Sequence, residues 1–328
     1  MQLTSQQITE LIGSHIDKLT FSQEPANLYA PVRYALSMGG KRIRPVLMLL
    51  AYNLYKPDVD VALDPAAAIE IYHNFTLLHD DLMDKADMRR GQLTVHRKWD
   101  ANTAVLSGDV MLSLADTYMS HCDDRHYRAV METFSRTSIE IAEGQQYDMD
   151  FESRDNVTEA EYIEMIRLKT SVLLACSMKI GATLADASAE DVENIYKAGE
   201  QMGLAFQLHD DYLDVYGDSK VFGKKVGGDI LCNKKTFLYV KSMELADGEQ
   251  RGELDKWFAT EGGDAAFCET KIREVTRLYS ALEMPRICRE QEDFYYHRAH
   301  AYLDKVHVSE EAKKELRAYL ASMMNRVV

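Results

Sequence analysis

Apolar residues in this chain recur mainly at intervals of three and four. Leu3, Ile8, Leu11, Ile12 and Ile16 follow that spacing, as do Val105, Val110, Leu112 and Leu114, and again Ile163, Ile166 and Leu173. This is the period of an amphipathic helix, and sustained strand-type alternation is missing. Breaks are predicted at Gly39-Gly40, 57-PDVDVALDP-65, Arg89 to Gly91, 152-ESRDNVT-158, 217-GDSKVFGKKVGGD-229 and 261-EGGD-264. The prolines stand at 25, 31, 45, 57, 65 and 285, which leaves none between Pro65 and Pro285. Proline disrupts helix interiors and marks turns, so this gap predicts long helices packed as one unit. An all-α fold follows: a single helical bundle forming one domain over residues 1–328.

Composition narrows the class. Of 328 residues, 46% are hydrophobic and 28% charged, ordinary for a globular protein able to bury a large core. There is no Gly/Ser-rich linker, low-complexity tract or repeat of roughly 20–50 residues. The most apolar stretch, 171-SVLLACSMKIGATLA-185, is interrupted by Lys179 and falls short of the roughly 18 residues that span a bilayer. The opening MQLTSQQITELI lacks a basic region ahead of an apolar core, so no secretory signal is expected. Five cysteines, odd in number and without metal-type spacing, predict reduced thiols in a cytoplasm. A net charge of −15 argues against a nucleic-acid partner. It leaves room for a small anionic substrate, because bound cations or a local basic cluster can invert the field inside one cleft.

The chemistry concentrates in 76-TLLHDDLMDKADMRRG-91, where four aspartates fall within eight residues ahead of two arginines. At about 100° per residue, Asp80 and Asp84 share one helix face, with His73 two turns earlier on the same line and Asp87 rejoining it if the helix continues. A solvated acidic face is the bland reading of such a run. Two features oppose it. The preceding 66-AAAIEIYHNFTLLH-79 is mostly apolar, and 206-FQLHDDYLDVYGD-218 repeats His-Asp-Asp-x-x-Asp much later in the chain. Basic residues follow each copy: Arg89 and Arg90 the first, Lys220, Lys224 and Lys225 the second. Two carboxylate clusters facing across a cleft would be costly without cations between them. Hard oxygen ligands with no His/Cys set suit Mg²⁺, which commonly completes its octahedron with water and phosphate oxygens.

With these motifs in hand, the chain resembles the trans-isoprenyl diphosphate synthases, or polyprenyl synthetases. The matching pieces run in order: 39-GGKRIRP-45, His73, 80-DDLMDKADMRRG-91, 105-VLSGD-109, 144-GQQYD-148, 169-KT-170, 206-FQLHDDYLD-214, 223-GKKVGGD-229 and 233-NKKT-236. A lone Asp-Asp-x-x-Asp is weak; two copies with RRG behind the first, GGKRIRP ahead and Lys-Thr between are specific. The resemblance implies an isoprenoid-synthase bundle around a central catalytic cleft. In it, an allylic diphosphate ionises, its cation is attacked by isopentenyl diphosphate, and a proton is lost. It implies Asp80, Asp84 and Asp210 as direct ligands of three Mg²⁺ ions, with Asp81, Asp211 and Asp214 acting through water or as alternates. Arg89, Lys169, Lys224 and Lys234 would hold the allylic diphosphate. Lys41, Arg44, His73 and Arg90 would hold isopentenyl diphosphate without metal. Thr170 and Gln207 would place polar groups near the cation and the departing diphosphate. Members are usually homodimers.

Alternatives from other classes fit less well. A di-iron bundle needs two Glu-x-x-His pairs and only 70-EIYH-73 qualifies. A terpene cyclase shares the aspartates and the helices but has no use for GGKRIRP and RRG. A non-catalytic regulatory subunit should have eroded aspartates, and both clusters are intact. Product length turns on Phe75, five residues before Asp80, with Thr76 beside it and Tyr72 eight before. Five helical residues rise about 7.5 Å, so a ring at Phe75 would floor the pocket for the growing chain. Relatives with an aromatic there make short products, so fifteen or twenty carbons are expected, and twenty preferred because position 76 is not also aromatic. Gln145 and Asp148 could equally cap or bridge helices.

Overall fold

Helices form where the apolar period predicts them. The computed structural model describes residues 2–21, 23–217, 226–260 and 262–324. Within it the helices are α1 Ser5–Lys18, α2 Ala26–Ser37, α3 Ile43–Asn53, α4 Leu63–Met83, α5 Val95–Lys98, α6 Ala101–Met119, α7 Asp124–Glu152 and α8 Glu159–Ile166. They continue as α9 Val172–Leu184, α10 Ala189–Tyr216, α11 Gly228–Leu231, α12 Phe237–Leu245, α13 Gly248–Phe258, α14 Ala265–Ala281, α15 Met284–Asp304 and α16 Glu310–Met324. Several begin at side-chain caps legible in the sequence. Thr4 with Gln7, Thr158 with Glu161, and Asp247 with Gln250 each form a capping box, satisfying donors that the first turn leaves open. The proline gap delivers its long helices: α7 has 29 residues and α10 has 28.

Packing gathers the chain into two compact units. The first comprises Met1–Ser135, Cys176–Glu193 and His307–Leu316; the second comprises Arg136–Ala175, Asn194–Val306 and Arg317–Val328. In the first unit α4 lies against α6 and α3. The buried side of α6 is made of Ala104, Ser107, Gly108, Met111, Ala115 and Met119, whereas Val105 is 42% exposed. None of the predicted Val105, Val110, Leu112 and Leu114 is therefore buried. The inner face combines small residues, which allow close approach to α4, with Met111 and Met119. A Cβ on Gly108 would stand 2.1 Å from Nε2 of His79 on α4, and one on Gly181 of α9 would stand 2.0 Å from the carbonyl oxygen of Met48 on α3.

In the second unit the core joins Tyr162 and Met165 of α8, Leu208 and Leu213 of α10, Phe237 and Leu238 of α12, and Val275 and Tyr279 of α14. The predicted break at 152–158 separates α7 from α8. No helix among the described residues is long and apolar enough to cross a membrane, and all five cysteines are free thiols.

Candidate active site

The first acidic motif closes α4. The helix ends at Met83, Asp84 is its C-cap, and Lys85 takes a left-handed φ of 53°. Asp80 and Asp84 thus lie one turn apart, joined by the 2.8 Å bond from the Asp84 N–H to the Asp80 carbonyl. Asp87 falls beyond the helix and does not return to their line; its carboxylate pairs with Arg97 at 2.7 Å. Negative charge at a helix C-terminus opposes the helix dipole, so this placement lacks a stabilising role of its own. Asp81 is buried and takes a 2.7 Å bond from Nε of Arg89.

Behind the aspartates, Met88–Arg89 and Gln92–Leu93 form a short antiparallel hairpin. Its two turn residues, Arg90 and Gly91, have φ of 50° and 76°, the positive values a two-residue hairpin turn requires. The turn presents the Arg90 guanidinium to the 39–40 loop, where it donates to the Gly39 carbonyl. A Cβ on Gly40 would stand 2.8 Å from both terminal nitrogens of Arg90, and its φ of 140° is one that side chains rarely adopt, so glycine suits this meeting of the two basic motifs. Within 39-GGKRIRP-45 the basic residues divide their work. Arg42 turns back to α1, bonding the Gly13 carbonyl and Asp17 at 3.3 and 3.2 Å. Arg44 reaches Nε2 of His73 at 3.1 Å, and Lys41 is exposed. Burial, reinforced by Arg44, Arg90 and Arg89, pushes the His73 imidazolium well below its ordinary range, so the ring is neutral and can accept from Arg44. Beneath lies Glu70, 4% exposed and bonded by Asn74. Burial pushes its carboxyl up, against the pull of Arg44, Asn74, Arg42 and Arg90.

The second unit builds its site around a widened turn. Residues Arg167–Ser171 form a π-helical stretch carrying Lys169 and Thr170, a distortion common at functional sites. Glycines from two helices grip it: a Cβ on Gly144 of α7 would stand 2.4 Å from the Lys169 nitrogen, and one on Gly203 of α10 would stand 2.5 Å from the Ser171 Cα. Lys169 reaches Asp148 at 2.6 Å, and Lys234 approaches the same oxygen at 3.5 Å and Glu152 at 3.3 Å. Burial alone would raise the Asp148 carboxyl, yet the two lysines hold it below the usual carboxylate range. Gln145, one turn away, caps and bridges nothing: both amide atoms are buried without a hydrogen-bond partner among the described residues.

From Thr170 a chain of hydrogen bonds enters α10. Its hydroxyl donates to Oε1 of Gln207 at 2.9 Å, and Nε2 of Gln207 donates to Oδ1 of Asp211 at 3.0 Å. Oδ2 of Asp211 accepts from the Tyr162 hydroxyl and, at 3.4 Å, from the Phe237 N–H. Burial pushes the Asp211 carboxyl up to about 7 despite these donors, with Asp210 adding repulsion. Asp214 accepts from the Asp229 N–H at 3.0 Å, while Asp210 is only half-buried. Lys224, with Lys220 and Lys225, lies outside the described residues.

The predicted residues thus gather by unit. Arg44, His73, Arg90 and the 39–40 loop come together in the first; Lys169, Thr170, Gln207, Asp211 and Lys234 are linked in the second. Sequence reading missed Glu70 as the buried carboxyl near the basic group, Asp148 as the partner of both lysines, and Tyr162. Glu70 and Asp148 stood inside quoted motifs, while Tyr162 carried no signal. For Mg²⁺, the donor chemistry is right: carboxylate oxygens only. No cluster of three or more His, Cys, Asp or Glu forms a closed metal cage among the described residues.

An all-α chain with two aspartate motifs and a group of cations in each unit fits a diphosphate-handling enzyme of the isoprenoid-synthase fold. Comparison with known proteins agrees. The polyprenyl synthetase family profile matches residues 25–275, running through both units. A geranylgeranyl diphosphate synthase of Methanosarcina mazei is 42% identical over 235 residues, covering 71% of this chain and 72% of that protein. A geranylgeranyl pyrophosphate synthase of Geoglobus acetivorans is 43% identical over 238 residues, covering 72% and 74%. A crystal structure of a geranylgeranyl pyrophosphate synthase superposes with a TM-score of 0.95 at 40% identity, covering 100% of each chain. The chain belongs to the polyprenyl synthetase family and is a short-chain trans-prenyl diphosphate synthase. That family generally depends on Mg²⁺.

Proposed function

We propose that this synthase adds isopentenyl diphosphate to a dimethylallyl, geranyl or farnesyl starter and stops at a fifteen- or twenty-carbon product, twenty being preferred. Asp80, Asp84 and Asp210 would hold three Mg²⁺ ions, which supply the positive charge that stabilises the departing diphosphate. Asp81, Asp211 and Asp214, each engaged by a protein donor, orient the residues around them. Lys169 and Lys234, steadied by Asp148, and Arg89, steadied by Asp81, bind the allylic diphosphate with Lys224. Thr170 and Gln207 turn fixed dipoles toward the developing cation. Lys41, Arg44, His73 and Arg90 hold isopentenyl diphosphate so that its double bond meets that cation, and the released diphosphate takes the proton. One polyprenyl synthetase domain, both units included, carries the whole reaction. It works in the cytoplasm as a homodimer, a state its mass in solution reports.

The observation that carries this reading is the meeting of Arg90 with Gly39-Gly40 beside the 3.1 Å Arg44–His73 pair. It supports a second, metal-free diphosphate site, for which a cyclase has no use. Steady-state kinetics test it. Arg90→Ala and Lys41→Ala should raise KM for isopentenyl diphosphate, each lost charge-assisted contact costing about 1.5–3 kcal/mol. Arg89→Ala should act on the allylic partner. Equal effects of all three on both substrates contradict the assignment.

A further inference from the structure

His79 stands directly before Asp80, and none of the steps above uses it. Its ring is nonetheless tightly placed. It meets the Phe75 ring edge-on, centroids 4.8 Å apart. Its Nε2 lies 3.3 Å from the Val105 carbonyl on α6, a partner that can only accept, so Nε2 carries the proton. Behind it α6 presents Gly108, where even a Cβ would stand 2.1 Å from Nε2. The ring is therefore wedged between α6 and Phe75. On its other flank Phe75 meets Tyr72 at 5.5 Å, and Tyr72 is backed by the buried Phe134 at 5.2 Å.

Phe75 itself is only half-buried. One flank of Phe75 meets the buried Tyr72 ring, and the other meets His79, which fills the space toward α6. A half-buried aromatic side chain relieved of one neighbour can swing to another staggered position. The space open to it is the one the imidazole vacates.

We propose that His79 is a specificity-determining positioning residue: wedged by Gly108, it holds Phe75 in the pose that stops chain growth. Glycine at 108 belongs to the same device, because any side chain there would drive the imidazole out of its seat. The proposal rests on the reading of Phe75 as the pocket floor, and its test separates the two.

Products made from farnesyl diphosphate and excess labelled isopentenyl diphosphate with Mg²⁺ are resolved by length for wild type, His79→Ala, Phe75→Ala and the double variant. Circular dichroism confirms folding, and His79→Asn replaces His79→Ala if the latter does not fold. A purely structural role would alter rate or melting temperature without altering product length. The proposal expects His79→Ala to move a measurable share of product at least one five-carbon unit longer, and the double variant to match Phe75→Ala alone. Longer products from Phe75→Ala with an unchanged spectrum from His79→Ala overturn the role of His79 and leave the floor intact. Unchanged spectra from both overturn the floor and the proposal with it. Longer products from His79→Ala alone, or additive lengthening in the double variant, show that His79 does not act through Phe75.

Discussion

Asp80 and Asp211 occupy neighbouring places in the same repeated motif, yet their surroundings differ. Both oxygens of Asp211 accept bonds from Gln207, Tyr162 and the Phe237 backbone. Asp80 and Asp210 are only half-buried. Replacing Asp80 or Asp210 by alanine should lower turnover by several orders of magnitude while circular dichroism stays native, because the lost charge stabilisation matters most in the transition state. Turnover within about tenfold of wild type would contradict it. His73 offers a different check. Its imidazolium is disfavoured in the folded protein by burial and by Arg44, Arg90 and Arg89, so the unfolded chain binds the proton first. Stability from the neutral ring is present above the unfolded value of about 6.5 and is lost as pH falls through it. Denaturation between about pH 7.5 and 5.5 should show wild type losing stability and His73→Gln losing less; parallel curves would contradict it. The motif spacing made these residues legible. It could not tell which carboxylate oxygens the protein itself occupies, because that depends on residues such as Tyr162, one of 18 tyrosines with no marking neighbour.

At the scale of the element, α4 carries most of the design. Its face bears His73 and Asp80, and it ends where Asp84 is the C-cap, so the expected alignment of Asp80 with Asp84 depends on only one further turn. Asp87 departs from that line because the helix stops before reaching it. Phe75→Ala should lengthen the products by one or more five-carbon units without a gross loss of rate. Its stability cost should fall below the roughly 3–5 kcal/mol of a fully buried ring, since Phe75 is half-buried. Tyr72, 2% exposed and packed on Phe134, should lengthen products further only when Phe75 is already gone. Product chromatography and thermal melts check both, and a wild-type spectrum from folded Phe75→Ala would move the floor elsewhere. The helical period located these elements, but it pointed to the wrong side of α6, whose buried face combines Ala104, Ser107, Gly108 and Ala115 with Met111 and Met119. The π-helical stretch at Arg167–Ser171 was not legible at all: the Lys-Thr pair shows in the sequence, while the widened turn depends on Gly144 and Gly203 from other helices.

For the whole molecule, an acidic chain of net charge −15 would meet the two anionic substrates of the proposed reaction with local groups of cations. Arg44, Arg89 and Arg90 gather in one unit, where buried Asp81 pairs with Arg89, and Lys169 and Lys234 in the other, where half-buried Asp148 pairs with both. Burying a charge without a partner is costly, so these pairs hold the cations in place before any substrate arrives. The all-α class and the family were legible from the order of short motifs along the chain, since each motif is a local arrangement of glycine, cation or carboxylate. The division into two packed units was not, because contacts between distant segments such as Cys176–Glu193 and Met1–Ser135 leave no local pattern. The central claim is Mg²⁺-dependent condensation of two diphosphates, and one assay bears on it most directly. The protein is incubated with isopentenyl diphosphate and each of the five-, ten- and fifteen-carbon allylic starters, with Mg²⁺ or with chelator, and product lengths are measured. The account predicts linear prenyl diphosphates ending at twenty carbons, or at fifteen, only when metal and both substrates are present. Cyclic hydrocarbon formed from the allylic diphosphate alone, or no incorporation of isopentenyl diphosphate from any starter, would contradict it.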